Sequence, residues 1–391
     1  MQKDFHYYAT YCAAVLAGYT PFESETIAYC AALPDFCSKT FLSSIGAPLE
    51  GATTQTNLEL MDAHTDLVGL QDITRIWASF HFLPYDLYAK KKGCTKRYLD
   101  KYRLLCKPNG ALVKDTVLLA KDRGLEAAGL VMHIVADTWA HRYFAGTPSL
   151  VLNNTTGHFF ELLPDGNGGY QKQCVVFTHS PSKGDDIAHC SYKATLNRWS
   201  ETSIMMLGHG RAGHLPDYSF ARYRYLPAWA EYEEIEKDNP SDYEHAFLQM
   251  LVALEYLRGT RDSFELDRYD AAAFAPWAEQ IRAILNRRQT MEDSCMDWSA
   301  LGERISGRAP TPFARETHQA SYRNAAQTEK DETVLGRFLL AALRQKSMVT
   351  NKVFSSGNLL MGISVDYMKE GLRGIRAYHK LIRIGEERDA K

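Results

Sequence analysis

One stretch of the sequence places three potential metal ligands at a spacing of four residues. His133, Asp137 and His141 occur in the run His-Ile-Val-Ala-Asp-Thr-Trp-Ala-His. Steps of four residues advance by about 400° around an α-helix, so these side chains are expected along one helix face. Two imidazoles and a carboxylate on one stripe predict ligation of one or two closely spaced cations. The alternative is a polar face on which Asp137 orients a histidine by a hydrogen bond.

Further histidines and acids are spread over roughly the first 220 residues. His81 lies within an aromatic and aliphatic run, where an imidazole needs a buried partner or a metal ion. The loop 208–217 combines three glycines with two histidines and an aspartate, which favours metal or substrate contact. Taken singly, Asp35 would be a turn-forming residue and His6 a surface residue. The other members of the set are Asp4, His64, Asp66, His209, His214 and Asp217.

This set of donors contains imidazoles and carboxylates but no thiolate. It suits Zn²⁺ better than Mn²⁺ or iron, and it is too large for one tetrahedral ion. The sequence therefore predicts a site for two or three zinc ions. Because multinuclear zinc stabilises both the attacking and the leaving oxygen in phosphate-ester displacement, we expect a metal-dependent phosphoric ester hydrolase.

The elements that position these residues are expected to be helices. Apolar spacing predicts helices over 5–18, 23–33, 111–145, 191–207, 241–260, 272–288, 327–346 and 364–386. Residues 146–190 are rich in turn formers and predict a loop-rich insertion with one hairpin. The expected fold class is all-α, with a metal-binding catalytic helical domain over 1–225 and a C-terminal helical region of unknown role over 226–391. The tyrosine-rich stretch 218–225 would either line a wall of the active-site cleft or form a packed surface segment.

Length and composition exclude several classes of protein. The 391 residues are 45 % hydrophobic and 24 % charged, which excludes a chain that is disordered throughout. A net charge of −2 gives no global basic field for nucleic acid, although it leaves room for a local basic groove. No apolar run approaches the roughly 20 residues of a membrane span, and no signal-like segment occurs. The expected localisation is cytoplasmic as synthesised, with leaderless export left open.

The order of the candidate ligands resembles the zinc-dependent phospholipase C and single-strand nuclease superfamily. His6, Asp35 and His81 precede the His-x3-Asp run with its second histidine, and a later His and Asp follow, which is the order of ligands in that superfamily. Phe80–Pro84 is similar to its His-aromatic-x-x-Pro neighbourhood. Asp4–Tyr8 is similar to an uncharacterised bacterial branch. The resemblance covers about residues 1–220.

The resemblance implies a phospholipase C/nuclease-like bundle, extended by C-terminal helices, that holds three zinc ions in a cleft. Asp35 or Asp137 would bridge two ions or act as a base, and Arg142 and Arg211 would contact phosphate. The chain has Met1 where secreted members expose a metal-binding terminal Trp, so either Asp4 would substitute as a ligand or one zinc ion would be absent. Asp4, His64 and Asp66 would therefore be either additional ligands or residues that surround the ligands. The implied ligands are His6, Asp35, His81, His133, Asp137, His141, His209, His214 and Asp217.

These features together favour a zinc-dependent phosphodiester hydrolase, phospholipase C-like, that uses a metal-activated water. A phospholipid is favoured over nucleic acid as the substrate. The alternatives are a single-strand nuclease of the same fold and a non-catalytic metal-containing helical binding protein that serves a partner through residues 226–391. The basic stretch 364–386 would contact an anionic membrane or form a solvated helix face.

Overall fold

The computed structural model describes residues 1–48, 67–155, 157–178, 183–194 and 211–361. Three of the candidate residues, His64, Asp66 and His209, lie outside the described residues, as does the basic stretch 364–386. Everything stated below about the structure concerns the described ranges.

Helices form most of the described part and carry most of the candidate ligands. A π-helical turn over Asp4–Ala9 leads directly into the first α-helix, and a 3-10 turn over Leu33–Asp35 follows the second. The α-helices are α1 (Thr10–Leu16), α2 (Pro21–Ala32), α3 (Lys39–Ile45), α4 (Leu67–Phe80), α5 (Lys96–Tyr102), α6 (Ala111–Ala120), α7 (Leu125–Ala140), α8 (Leu150–Asn153), α9 (Asn239–Arg258), α10 (Ala278–Asn286), α11 (Met291–Ser306), α12 (Gln319–Asn324) and α13 (Val334–Ser355).

Helix α7 is the central helix and is buried along almost its whole length. The predicted helix 111–145 is interrupted at Gly124, whose φ of +90° favours glycine and separates α6 from α7. Gly129 allows α2 to approach α7 closely, because a Cβ there would collide with the carbonyl of Ile27. This close contact brings the end of α2 beside the residues of α7 that bear the candidate ligands.

The prediction of an all-α fold is wrong, because six short strands accompany the helices. They are β1 (Phe159–Pro164), β2 (Tyr170–Cys174), β3 (Val176–Thr178), β4 (Ser191–Lys193), β5 (Arg222–Tyr225) and β6 (Ile235–Asp238). Four form an antiparallel sheet in the order β2-β1-β5-β6, in which Phe160 lies opposite both Cys174 and Arg224, and β3 pairs with β4 in parallel. The fold class is therefore mixed, with helices and sheets.

Two of the strands that the sequence analysis missed, β4 and β5, leave only a weak local signal. Along β5, Tyr223 and Tyr225 are buried while Arg222 and Arg224 are partly exposed, so this part of the tyrosine-rich stretch alternates with the period of a strand. Residues 191–193 form β4 instead of starting a helix. Both strands are only three or four residues long, too short for apolar periodicity to separate them from loops.

The main hydrophobic core combines residues from both ends of the described chain. Phe5 packs edge-on against Tyr243 of α9 and Trp298 of α11, with ring centroids 4.8 and 6.0 Å apart. This core holds the π-helical turn that carries His6 against helices that follow residue 225. Within the described residues, we find no helix with the length and apolar character needed to cross a bilayer.

Candidate metal centre

Seven candidate ligands come from separate turns and helices that meet around the middle of α7. His6 lies in the π-helical turn, a form of helix that often occurs at functional sites. Asp35 ends the 3-10 turn after α2, and His81 directly follows α4. His133, Asp137 and the helix-capping His141 belong to α7, and Asp217 ends the 3-10 turn Leu215–Asp217.

Asp137 is the point on which the histidines converge. Its Oδ1 lies 3.1 Å from His6 Nε2, and its Oδ2 lies 3.2 Å from both His81 Nδ1 and His133 Nε2. The latter two nitrogens are themselves 3.2 Å apart. Ligands about 2.0–2.2 Å from a tetrahedral zinc ion are separated by about 3.3–3.5 Å. The observed separations are close to that spacing.

Two groups of ligand atoms share His133 and could each hold an ion. One consists of His6, His133 and Asp137, and the other of Asp35, His81 and His133. Within each group the ligand atoms all lie within 4.8 Å of one another. Asp35 is the most open of these side chains, with 28 % exposure against 3 % or less for the others. It therefore marks the side from which solvent reaches the centre.

Backbone carbonyls orient two of the imidazoles. His133 Nδ1 lies 2.8 Å from the Ala31 carbonyl oxygen, and His141 Nδ1 lies 2.7 Å from that of His81. A carbonyl can only accept, so each Nδ1 carries a proton and each Nε2 is the nitrogen turned towards the centre. Histidines that bind metals are commonly oriented in this way. His133 Nε2 consequently faces Asp137 Oδ2 at 3.2 Å, where a cation could bind between them.

The imidazole of His6 is buried without any hydrogen bond to either ring nitrogen. It stacks on His133, with ring centroids 4.0 Å apart. Burial, and then the neighbouring His133, lower the pKa of His6 to about 4, so the ring is neutral near pH 7. A neutral, buried imidazole whose Nε2 faces a carboxylate oxygen at 3.1 Å and makes no well-aligned hydrogen bond has the chemistry of a metal ligand.

The charge of Asp137 is stabilised by its neighbours. Burial opposes ionisation, but His141, the Met1 amino group and His133 outweigh it and hold the pKa of Asp137 well below its usual range. Burial would lower the pKa of the Met1 amino group, but Asp137 and Asp217 raise it to about 11. These carboxylates therefore form a strongly cation-attracting environment.

A further set of donors lies at the C-terminal end of α7. The Met1 nitrogen lies 2.9 Å from Asp137 Oδ1 and 3.2 Å from Asp217 Oδ1. His141 Nε2 lies 3.4 Å from this nitrogen and 3.8 Å from Asp217 Oδ1. Asp217 and His141, both among the predicted ligands, thus lie beside Asp137 without belonging to either group of ligand atoms.

His214 is oriented by a carboxylate that was not among the predicted residues. Its Nδ1 lies 2.8 Å from Asp185 Oδ2, which also accepts a hydrogen bond from the Tyr218 hydroxyl at 2.7 Å. The backbone N–H of Lys193 donates to the other oxygen of Asp185. Burial would lower the pKa of His214, but Asp185 and then Asp217 raise it. This carboxylate therefore holds His214 in one orientation near Asp217.

Other predicted residues make contacts of a different kind. The buried carboxyl of Asp4 accepts a hydrogen bond from the Ser294 hydroxyl at 2.8 Å, and burial raises the pKa of Asp4 to about 6. Asp4 belongs to neither group of ligand atoms. Arg142 Nη1 binds Asp242 Oδ1 at 3.1 Å, and its guanidinium lies over the Tyr143 ring. Arg211 is buried at the start of the range 211–361.

Sequence reasoning missed Asp185 and the aromatic walls of the centre. Phe82 stacks on His141 with ring centroids 4.6 Å apart, and Trp77 lies 5.3 Å from the ring of His81. The two aromatic residues could have been found, because each lies one or four residues from His81. No local signal marks Asp185, which is separated from His214 by 29 positions in a turn-rich segment.

One family model matches a range of the chain that contains the whole candidate centre. The family model DUF6765, described as a family of unknown function, matches residues 1–353. No curated protein and no solved structure matches the chain. The matched range includes every described ligand and Asp185.

Proposed function

The chain belongs to DUF6765, a family of unknown function, and we propose that it is a zinc-dependent phosphodiester hydrolase, similar to phospholipase C. The proposal is supported above all by the convergence of imidazole nitrogens on Asp137. His6 Nε2 and His133 Nε2 lie 3.1 and 3.2 Å from its two oxygens, in a pocket where both histidines are fully buried. Such a cluster is costly to bury without a cation.

The ligands suit zinc ions held in two or three adjacent positions. Asp35, His81, His133 and Asp137 would hold one ion, and His6 with Asp137 would contribute to a second. His141 and Asp217, with His214 oriented by Asp185, would supply a third position.

Zinc bound by these residues would lower the pKa of a water molecule and stabilise negative charge on the phosphoryl oxygens. Asp137 would bridge two positions, because its two oxygens face different histidines. Asp35 would accept a proton from the attacking water, since it is the exposed carboxylate of the centre. Trp77 and Phe82 would exclude water from the protein side by packing against His81 and His141.

Elemental analysis of the purified protein tests the metal centre. We expect two or three zinc ions per chain and the loss of at least one in His133→Ala, because His133 belongs to both groups of ligand atoms. His189→Ala is the matched control, since His189 is exposed and pairs only with Asp186 among the described residues. Absence of bound zinc after reconstitution would overturn the proposal.

An activity screen then separates the hydrolase from the alternatives. We expect hydrolysis of a chromogenic phosphodiester that a chelator abolishes and zinc restores. Comparison of phosphatidylcholine vesicles with single-stranded DNA distinguishes the phospholipase from the nuclease. A protein that holds stoichiometric zinc yet hydrolyses none of these substrates would instead be the non-catalytic metal-containing binding protein.

A further inference from the structure

A short segment next to the metal centre is strongly basic although the chain as a whole is slightly acidic. Residues 88–107 contain eight Lys and Arg residues and one acid, Asp100, which gives a local net charge of +7 within a chain of net charge −2. The basic residues are Lys90, Lys91, Lys92, Lys96, Arg97, Lys101, Arg103 and Lys107. A charge excess of this size creates a local positive field.

Several of these cations face solvent and are accompanied by exposed tyrosines. Lys90, Lys92, Lys96 and Arg97 are exposed. Tyr88 is 67 % exposed and Tyr85 is 42 % exposed. We call residues 85–107, together with Arg142, Tyr143 and Trp229, the basic surface.

The less exposed lysines lie over aromatic rings. Lys91 Nζ is 5.6 and 5.3 Å from the ring centroids of Tyr98 and Tyr102. Lys107 Nζ is 5.4 to 5.8 Å from the rings of Tyr85, Tyr143 and Trp229. Cation–π contacts of this kind hold an ammonium group near the surface without neutralising its charge.

Nearby acids neutralise only part of this charge. Lys91 pairs with the exposed Glu231 at 3.2 Å, and Arg142 pairs with Asp242. Burial and then the neighbouring Arg97 lower the pKa of Lys101, and burial followed by Arg142 lowers that of Lys107. Repulsion among like charges thus persists in the folded protein, so a polyanionic partner would relieve it.

The basic surface is joined directly to the walls of the metal centre. Tyr85 follows His81 by four residues, and its N–H donates to the Leu105 carbonyl at 3.0 Å. The Tyr143 N–H donates to the Cys106 carbonyl at 2.8 Å, two residues beyond His141. A partner bound to this surface would therefore lie beside the segments that carry His81 and His141.

We propose that the basic surface binds the anionic headgroups of a phospholipid membrane. Clusters of four to eight Lys and Arg residues are typical of sites that bind anionic lipids, and exposed tyrosines such as Tyr85 and Tyr88 suit the interface between water and lipid. This inference goes beyond the proposed hydrolase, and its test does not depend on catalysis.

Two observations favour a lipid surface over nucleic acid. Six of the eight basic residues are lysines, compact point charges that suit a diffuse anionic surface, whereas bidentate recognition of phosphate favours arginine. Lysines already lie over the rings of Tyr98, Tyr102 and Tyr143, and single-stranded nucleic acid needs such ring faces for base stacking.

Vesicle co-sedimentation of the full chain tests the proposal. We expect binding to phosphatidylcholine vesicles that contain phosphatidylglycerol, weak binding to phosphatidylcholine alone, and loss of binding near 0.5 M salt, where the Debye length is only about 4 Å. The triple variant Lys90→Gln, Lys92→Gln, Lys96→Gln should bind on the order of 100-fold more weakly, because each cation contributes about fivefold.

A matched triple variant controls for net charge. Arg287→Gln, Arg304→Gln and Arg337→Gln remove three exposed cations, from the turn before α11, from α11 and from α13 respectively. This variant should leave vesicle binding within about threefold of wild type. Both variants should keep the zinc content of the wild-type protein, so a failure of the membrane proposal is distinguishable from a failure of the proposed metal centre.

Unchanged binding in the lysine variant would overturn the proposal. Tighter binding of single-stranded DNA than of vesicles, lost in the same variant, would also overturn it and assign the surface to nucleic acid.

Discussion

The candidate metal centre and the basic surface are neighbours in the chain, yet charged groups are buried and paired in the first and largely exposed to solvent in the second. Around Asp137 nearly every ionisable group is buried and faces a group of opposite or complementary character at 2.9–3.5 Å. Across residues 88–107 cations outnumber acids and several point into solvent. Buried charge requires fixed partners, whereas exposed charge in water costs little. The two regions should therefore respond very differently to substitution.

The largest effect is expected from Asp137→Asn. The variant removes the carboxylate whose oxygens lie within 3.2 Å of ring nitrogens of His6, His81 and His133, so the zinc content should fall by at least one ion per chain. The free energy of unfolding of the metal-free protein should fall by about 3–5 kcal/mol, because one partner of a buried cluster is lost. Elemental analysis and urea unfolding measure the two quantities.

The lysine triple variant of the basic surface is the direct contrast to Asp137→Asn. It changes three charges instead of one, yet its unfolding free energy and zinc content should stay close to the wild-type values. Asp186→Asn, at an exposed Asp–His pair, is a second control. Equal destabilisation by Asp137→Asn and by the lysine variant would abolish the distinction between the two regions.

A smaller effect is expected from Asp185→Asn. This carboxylate binds His214 without belonging to either described group of ligand atoms. Loss of such an orienting partner should weaken zinc affinity or phosphodiesterase activity by about 10–100-fold. The pKa of His214, followed by NMR, should also fall, since Asp185 is the main group that raises it against the effect of burial. An unchanged pKa would mean that Asp185 does not act on His214, and Asp186→Asn again serves as the control.

An effect of opposite sign is expected from Asp4→Asn in metal-free protein. Burial raises the folded-state pKa of Asp4 from 3.8 to about 6, so its contribution to stability is fully present below pH 3.8 and is lost as the pH rises through 6. The asparagine cannot ionise, so the variant should be more stable than wild type at pH 8, by at most about 3 kcal/mol, and equal to it near pH 3.5.

Thermal unfolding at the two pH values measures this difference. Ser294→Ala, which removes the hydrogen bond to Asp4 but leaves the carboxyl, should not stabilise the protein at pH 8. Loss of zinc in Asp4→Asn would instead identify Asp4 as a ligand and place it with the centre.

What the sequence predicted about the fold depended on the length of each pattern. The apolar face of α7 extends over several turns, so its helix and the single stripe of His133, Asp137 and His141 were predictable. The strand β5 has only four residues, and tertiary pairing with β1 and β6 decides its conformation. Short strands that depend on distant partners leave too little local signal.

The prediction of the centre was likewise limited by how much local signal each residue carries. His6, Asp35 and His81 could be proposed because histidines in apolar surroundings, and their order along the chain, are unusual. Asp185 could not, since acids in turn-rich segments are common and only the folded chain brings it to His214. The charge excess of residues 88–107 can be counted from the sequence, although the sequence analysis did not single it out, and its relation to the centre depends on the pairing of residues 84–85 with 105–106.

The carbonyl groups that orient His133 and His141 have a consequence for how the family can evolve. Both acceptors belong to the main chain, at Ala31 and His81, so no side-chain substitution at position 31 removes the first of them. The orientation of His133 depends on the packing of α2 on α7, and that of His141 on the segment that directly follows α4, rather than on the side chain of a neighbouring residue. Substitutions around the centre can therefore leave the His133 ring in place, provided that position 129 remains small enough for α2 and α7 to touch.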